Sequence, residues 1–478
     1  MNRSHLPYIS KLPELQKDNP MAMDDLPIAI IGAGPIGLAA AVHLSTRGVP
    51  FRIYEAGLTV ASNVLDWGHV RLFSPWKYNI DPVARQVLEK SAWAEPDLEA
   101  LPTGRDLYSL YLAPLAASPE LSSHIEVGAK ITAITRDGMD KVVSVGRETR
   151  PFVLTVETEN GTRRDLARAV IDASGTWGAP NPIGADGVRM KGEATYVDRL
   201  TYGVPDVTGR DRSAFGGKSV LVVGAGHSAA NALIDLTELA EEMPGTTVTW
   251  LTRGTNLSRV YGGGAADELS ARGDLGAKLA RLARSGRITL HAGHRVRDIE
   301  ENDGRLWIDA EERGLGRCIG PFDRIVVATG QRPDLAMTRE LRLDLDPWLE
   351  STKALGPLID PNLHSCGSVP PHGHRELGHP EPGFYTVGIK SYGRAPTFLM
   401  LTGYEQVRSV TAAIAGDVRA ADDVHLVLPE TGVCTVAPSS AGDGCCGGPA
   451  PIETDACCVA DAVAKNQGKS GCGCSKAA

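Results

Sequence analysis

This 478-residue sequence contains no run of about eighteen uniformly apolar residues, which excludes a membrane-spanning helix of ordinary length. Its most apolar segment, Ile28 to Leu44, is broken by Gly32, Gly34, Pro35 and Gly37 and reads as strand, turn and helix. A basic excess is missing as well: 49 Lys and Arg stand against 58 Asp and Glu, a formal charge of −9. That balance argues against nucleic acid as a partner, because phosphate contacts need clustered cations, and it gives no support to docking on an anionic membrane. The N-terminal segment lacks the apolar core of a secretory signal and mixes Arg3, Lys11, Lys17 and Asp18 with prolines. A cytoplasmic protein with a loose N-terminal arm is expected. No repeat of solenoid period is present.

Cysteine is sparse through most of the chain. Only Cys318 and Cys366 precede residue 434, too far apart to form a Cys-x-x-Cys or Cys-x4-Cys pair, and both read as buried apolar thiols. The remaining seven, Cys434, Cys445, Cys446, Cys457, Cys458, Cys472 and Cys474, crowd the C-terminal segment. In a reducing compartment such clustering points to soft-metal or metalloid binding, or to redox exchange, rather than to a disulfide framework.

What is present is a pair of glycine fingerprints. Ile28-Ala29-Ile30-Ile31 leads into Gly32-Ala33-Gly34-Pro35-Ile36-Gly37, a helical run, and the strand Phe51 to Glu55. In such a unit the first glycine allows the tight turn, the second lets backbone approach a pyrophosphate, and the third packs helix on strand. The helix N-terminus offers unpaired N–H groups to the phosphates, and Glu55 is placed to accept the hydroxyls of an adenosine ribose. The second fingerprint, Gly224-Ala225-Gly226-His227-Ser228-Ala229, follows the strand Ser219 to Val223 and precedes the strand Thr247 to Leu251. Its second strand ends not in an acid but in Thr252-Arg253, and a guanidinium there can hold a 2′-phosphate in a fork. NADPH is therefore expected over NADH. Two further strands, Arg168 to Asp172 and Arg324 to Val327, each run into a small-residue turn containing Ser174-Gly175 and Thr329-Gly330 respectively.

This arrangement resembles the two-dinucleotide-binding-domain flavoproteins, which include disulfide reductases, flavin-containing monooxygenases and Baeyer–Villiger monooxygenases. The resemblance implies an α/β fold of two Rossmann-like dinucleotide-binding domains, the NADPH domain inserted in the FAD domain, with a Cys-rich C-terminal tail. The implied boundaries are an arm at 1–26, an FAD domain at 27–178 and 331–421, an NADPH domain at 179–330 and the tail at 422–478. Ser174-Gly175 and Thr329-Gly330 look like the two crossovers, and Gly383 to Gly388 resembles the closing FAD motif. In many relatives an Asp follows that last glycine and binds the flavin ribitol, whereas here Ile389 follows Gly388.

The segment Trp67 to Trp76 looks like the flavin-side aromatic segment of the monooxygenase branch, and Asp172 to Pro182 looks like that branch's first crossover. Aromatic walls exclude water and so suppress side reactions at a flavin. By this resemblance Arg71, Trp76 and His69 are the catalytic candidates, with Trp67 and Trp177 beside them. The branch's Phe-x-Gly-x3-His signature is replaced by Thr201-Tyr202-Gly203-Val204-Pro205-Asp206, and the Gly-rich stretch Tyr261 to Asp267 reads equally as a gating loop or a plain surface loop.

The tail segments Cys445-Cys446-Gly447-Gly448 and Cys457-Cys458-Val459-Ala460-Asp461-Ala462 resemble those of proteins from bacterial arsenic-resistance operons. Thiolates favour soft centres such as Zn(II), Cu(I), Hg(II) or trivalent arsenic. Three readings stay open. The first is an NADPH-dependent FAD monooxygenase that uses molecular oxygen on a trivalent arsenical or other soft small-molecule nucleophile captured by the tail. The second is a reductase passing electrons through the tail thiols to a metal or disulfide. The third is a flavin-bound metalloid sensor or carrier. A homodimer is compatible with each.

Overall fold

The computed structural model describes residues 23–262, 267, 269–361, 369–396, 398–426 and 428–429. Cys366, the seven tail cysteines and residues 263–266 of the Gly-rich stretch lie outside the described residues.

Two parallel sheets organise the chain. In the first, the strands run in the order Phe384–Thr386, Ala169–Asp172, Ile28–Ile31, Phe51–Glu55, Ile125–Val127. All four residues of Ile28–Ile31 are buried, as a central strand covered on both faces requires. In the second sheet the order is Thr289–Ala292, Thr247–Thr252, Ser219–Val223, Arg324–Val327, Leu200–Tyr202. Every strand of this second sheet falls in sequence between Ala169–Asp172 and Phe384–Thr386 of the first. The chain thus leaves the first sheet, builds the second, and returns to add one last strand.

An antiparallel three-stranded sheet accompanies each unit: Lys130–Arg136, Phe152–Thr158 and Gly161–Ala167 in one, His294–Asn302, Arg305–Glu312 and Leu315–Phe322 in the other. Cys318 lies on the last of these and is exposed rather than buried, because the first four residues of that strand all face solvent. Helix Pro35–Thr46 packs on helix Met400–Ile414, and Gly403 permits the approach, since a Cβ there would collide with the Ile36 side chain. Fully buried Ile28, Ile30, Leu38, Leu44 and Ile53 anchor one core, and Val220, Val222, Ala229, Leu233 and Trp250 anchor another.

Candidate functional site

The first turn is shaped by steric demand. Gly32 adopts φ +96°, and a Cβ there would stand 2.8 Å from the Ala173 carbonyl oxygen. At Gly37 a Cβ would collide with the Gly32 carbonyl oxygen, so this glycine seats the helix on its own turn. Gly34 differs from both, because no atom lies within 4 Å of the place its Cβ would take. Open space therefore fronts the N-terminus of Pro35–Thr46, whose N–H groups have no side-chain cap. Orphan donors and a partial positive charge facing an open cleft fit the phosphates of a dinucleotide. Glu55 stands at the rim, its carboxylate accepting the Ala33 N–H and the Gly57 N–H at 2.8 Å each.

The closing turns meet at this cradle. Ile36 sits 3.3 Å from where a Gly388 Cβ would be, and Ile389 sits 3.9 Å from where a Gly175 Cβ would be. Gln406 Oε1 accepts the Gly388 N–H at 2.8 Å. Two residues that sequence reasoning missed lie behind the turns. Asp172 Oδ1 accepts the Ser174 hydroxyl at 2.6 Å, and Asp172 Oδ2 pairs with the buried Lys390 ammonium at 2.8 Å. An ionisable residue directly after Ile389 was the available signal for Lys390.

The second cradle repeats the logic with different braces. A Cβ at Gly224 would collide with the Ala328 carbonyl, while nothing lies within 4 Å of the Cβ position of Gly226. Helix His227–Glu242 starts there without a side-chain cap, and Ala229 is fully buried where it packs. Trp250, buried on the neighbouring strand, donates its indole N–H to the Gly224 carbonyl at 2.7 Å. Ser228 is exposed at the helix start. Arg253 is exposed just past its strand and donates through Nη1 to the Ala185 carbonyl at 3.2 Å. The Thr329 hydroxyl donates to the Asn181 carbonyl at 2.9 Å, and the Asn181 N–H donates to the Gly330 carbonyl at 2.9 Å, which stitches the second crossover to the chain leaving the first.

Part of the aromatic segment reaches the second unit. Phe73 places its ring 5.1 Å from that of His227, the first residue of the second cradle's helix. Burial pushes the His227 imidazole down to about 4, and the Arg272 and Arg259 guanidinium groups add to the effect. Arg272 is itself held by Asp267 through two hydrogen bonds of 2.7 and 2.6 Å. His69 is half-buried, and among the described residues its Nε2 has no hydrogen-bond partner; burial lowers its pKa against the upward pull of Asp206. The Trp177 indole donates to Asp66 Oδ2 at 3.0 Å, and its ring lies 3.1 Å from the Cβ position of Gly203. His69, Phe73 and Trp177 thus gather where the two units meet. Trp76, 3% exposed, is packed into the first core, Trp67 packs over Gly104, and Arg71 is exposed with Nη1 on the Leu101 carbonyl at 2.8 Å. Among the described residues no group of His, Cys, Asp or Glu could hold a metal ion, and no helix is long and apolar enough to cross a membrane.

Comparison with known proteins gives a consistent frame. Residues 29–354 match the family described as pyridine nucleotide-disulphide oxidoreductase. Ferredoxin–NADP reductases from Anaplasma marginale and Thermus thermophilus are each 26% identical, over 221 and 226 residues, covering 45% and 47% of this chain and 52% and 53% of theirs. The chain spans about half the length of the curated relatives it matches. Among solved structures, bacillithiol disulfide reductase from Bacillus cereus aligns with a TM-score of 0.60 at 17% identity, over 82% of this chain and 99% of its own. The FAD-bound cadaverine monooxygenase from Erwinia amylovora aligns at 0.55 and 11% identity, over 90% and 99%. An ornithine N-hydroxylase from Kutzneria aligns at 0.53 and 15%, over 83% and 98%. At these identities the likeness to the solved structures is one of fold.

Proposed function

We propose that this chain, which belongs to the pyridine nucleotide-disulphide oxidoreductase family, is an FAD-dependent oxidoreductase that draws its electrons from NADPH. The observation that carries this reading is the pair of uncapped helix N-termini, each facing open space at Gly34 and Gly226, joined through Phe73 and His227. The first cradle holds FAD through the N–H groups that follow Gly34, through Glu55 and through the turns at Ser174-Gly175 and Gly388-Ile389. The second holds NADPH through the N–H groups that follow Gly226, with Arg253 on the 2′-phosphate. When bound, NADPH supplies a hydride and FAD passes the electrons to the final acceptor. The domains that carry the two sites are 27–178 with 331–421, and 179–330.

For the acceptor, the lead reading is oxygen: one of its atoms goes to a trivalent arsenical or comparable soft nucleophile that the C-terminal thiols capture, and the other leaves as water with the two electrons from NADPH. Two things support it. The sequence before residue 434 holds no vicinal dithiol, and Phe73 and Trp177 present aromatic rings to the junction, against His227 and Gly203. In this reading His69 holds or releases a proton at the junction, and Phe73 and Trp177 limit water. Fold likeness to the bacillithiol disulfide reductase favours a second reading, in which the tail thiols take the electrons and reduce a disulfide or metalloid. Oxygen uptake with NADPH and a trivalent arsenical, and thiol release with NADPH and a small disulfide that takes the two electrons, separate the two. Uptake matched by oxidised arsenical and little hydrogen peroxide supports the first. Thiol release under nitrogen supports the second.

A further inference from the structure

In the closing turn of the first cradle Ile389 follows Gly388, where the resemblance implies an acid in many relatives, and its side chain lies 3.9 Å from where a Gly175 Cβ would be. Immediately after it, Lys390 turns inward and is 2% exposed. Its ammonium lies 2.8 Å from Asp172 Oδ2 and donates to the Ser174 hydroxyl at 3.0 Å. Ser174 in turn donates its hydroxyl, and its backbone N–H at 3.1 Å, to Asp172 Oδ1. Asp172 ends the strand beside Ile31, and the next residue, Ala173, is the one whose carbonyl crowds Gly32. The triad therefore ties the first crossover to the closing turn directly behind the first cradle.

A buried carboxylate at that place would set an uncompensated negative charge against a cofactor that gains negative charge on reduction. A buried ammonium beside it has the opposite effect. We propose that Lys390 is a positioning residue whose fixed charge balances Asp172 and thereby sets both the affinity for FAD and its tendency to accept electrons. The inference rests on the FAD reading of the first cradle. It assigns to Lys390 a charge-balancing role beside the closing turn.

The test uses full-length protein and reads FAD affinity by titrating the apoprotein, with the flavin midpoint potential measured separately by dye equilibration. Lys390→Met leaves Asp172 unpaired; it should weaken FAD roughly tenfold or more and move the potential down. Asp172→Asn leaves the lysine unbalanced and should move the potential up. The double variant Asp172→Asn/Lys390→Met should return the potential toward the wild-type value. If Lys390→Met fails to fold, the upward shift in Asp172→Asn and the return in the double variant still decide the matter. A purely structural clasp predicts no shift, or shifts of one sign, in flavin-loaded variants, and either result overturns the inference. Wild-type protein that takes up no flavin overturns both this inference and the FAD reading. Wild type that binds flavin while the variants show no opposite shifts overturns this inference alone.

Discussion

The ring of Phe73 meets that of His227 at 5.1 Å and an interplanar angle of 49°, and this contact joins a segment of the first unit to the helix N-terminus of the second. The Arg272 guanidinium lies 5.8 Å from the same Phe73 ring, locked from behind by Asp267. Two consequences follow from one packing event. The imidazole loses water, which disfavours its charged form, and the two cradles acquire a shared wall.

Phe73→Ala should therefore release the His227 imidazole from its depressed value of about 4. Burial is the largest cause of the depression, ahead of Arg272 and Arg259, so removing the ring that covers it should bring the titration up toward the usual histidine range. An NMR titration of His227 measures this directly. A midpoint that stays near its wild-type value would assign the depression to the arginines instead.

Glycines that look alike in the sequence should separate cleanly under mutation. Gly34→Val places a side chain in open space, so the protein should fold with a nearly unchanged thermal midpoint yet lose its flavin. Gly37→Val drives a side chain into the Gly32 carbonyl and should cost stability, by roughly 1–3 kcal/mol or more for overpacking of this kind. Thermal melts paired with the flavin-to-protein absorbance ratio distinguish the two. Loss of stability in Gly34→Val would contradict an open cradle.

The cradles were legible in the sequence because their constraint is local. A helix N-terminus that must admit phosphate needs small residues at fixed spacing, and strand, turn and helix follow one another within a short stretch. The contacts that join and tune the cradles were not legible. Lys390 reaches Ser174 across 216 positions, and that proximity exists only once Phe384–Thr386 has returned to pair with Ala169–Asp172. The antiparallel strand Gly161–Ala167 was also hidden, since its residues are mostly polar and only Ala167 is buried. The same outward-facing sheet geometry defeats the expectation of a buried Cys318.

Arg253 offers a test of nucleotide preference. Its guanidinium is exposed and among the described residues makes one hydrogen bond, to a backbone carbonyl, which leaves its other donors available to a 2′-phosphate. Arg253→Ala should raise the Kd for NADPH by about tenfold or more, the loss of roughly 1.5–3 kcal/mol of charge-assisted hydrogen bonding, and leave NADH nearly unaffected. Equal losses for both nucleotides would remove Arg253 from the phosphate site.

Asp235, on the second cradle's helix, carries an unusual carboxyl. Burial raises it to about 7, with Glu238 and Asp206 adding to the rise while Lys278 opposes it. The sign of its contribution to stability follows from linkage. The folded state holds this proton more tightly than the unfolded chain, so the stabilisation is fully present below the ordinary aspartate range and fades as pH climbs through about 7. His227, depressed to about 4, works the other way: the unfolded chain binds its proton first, and stability falls as pH drops from the usual histidine value toward 4. Asp235→Asn removes the first dependence and keeps the second. The variant should melt higher than wild type at pH 8, by a smaller margin at pH 5, and lose the fall that Asp235 imposes between the ordinary aspartate range and about pH 7. A thermal-melt series across that range reads all three, and a decline that persists unchanged in the variant would place its origin outside this carboxyl.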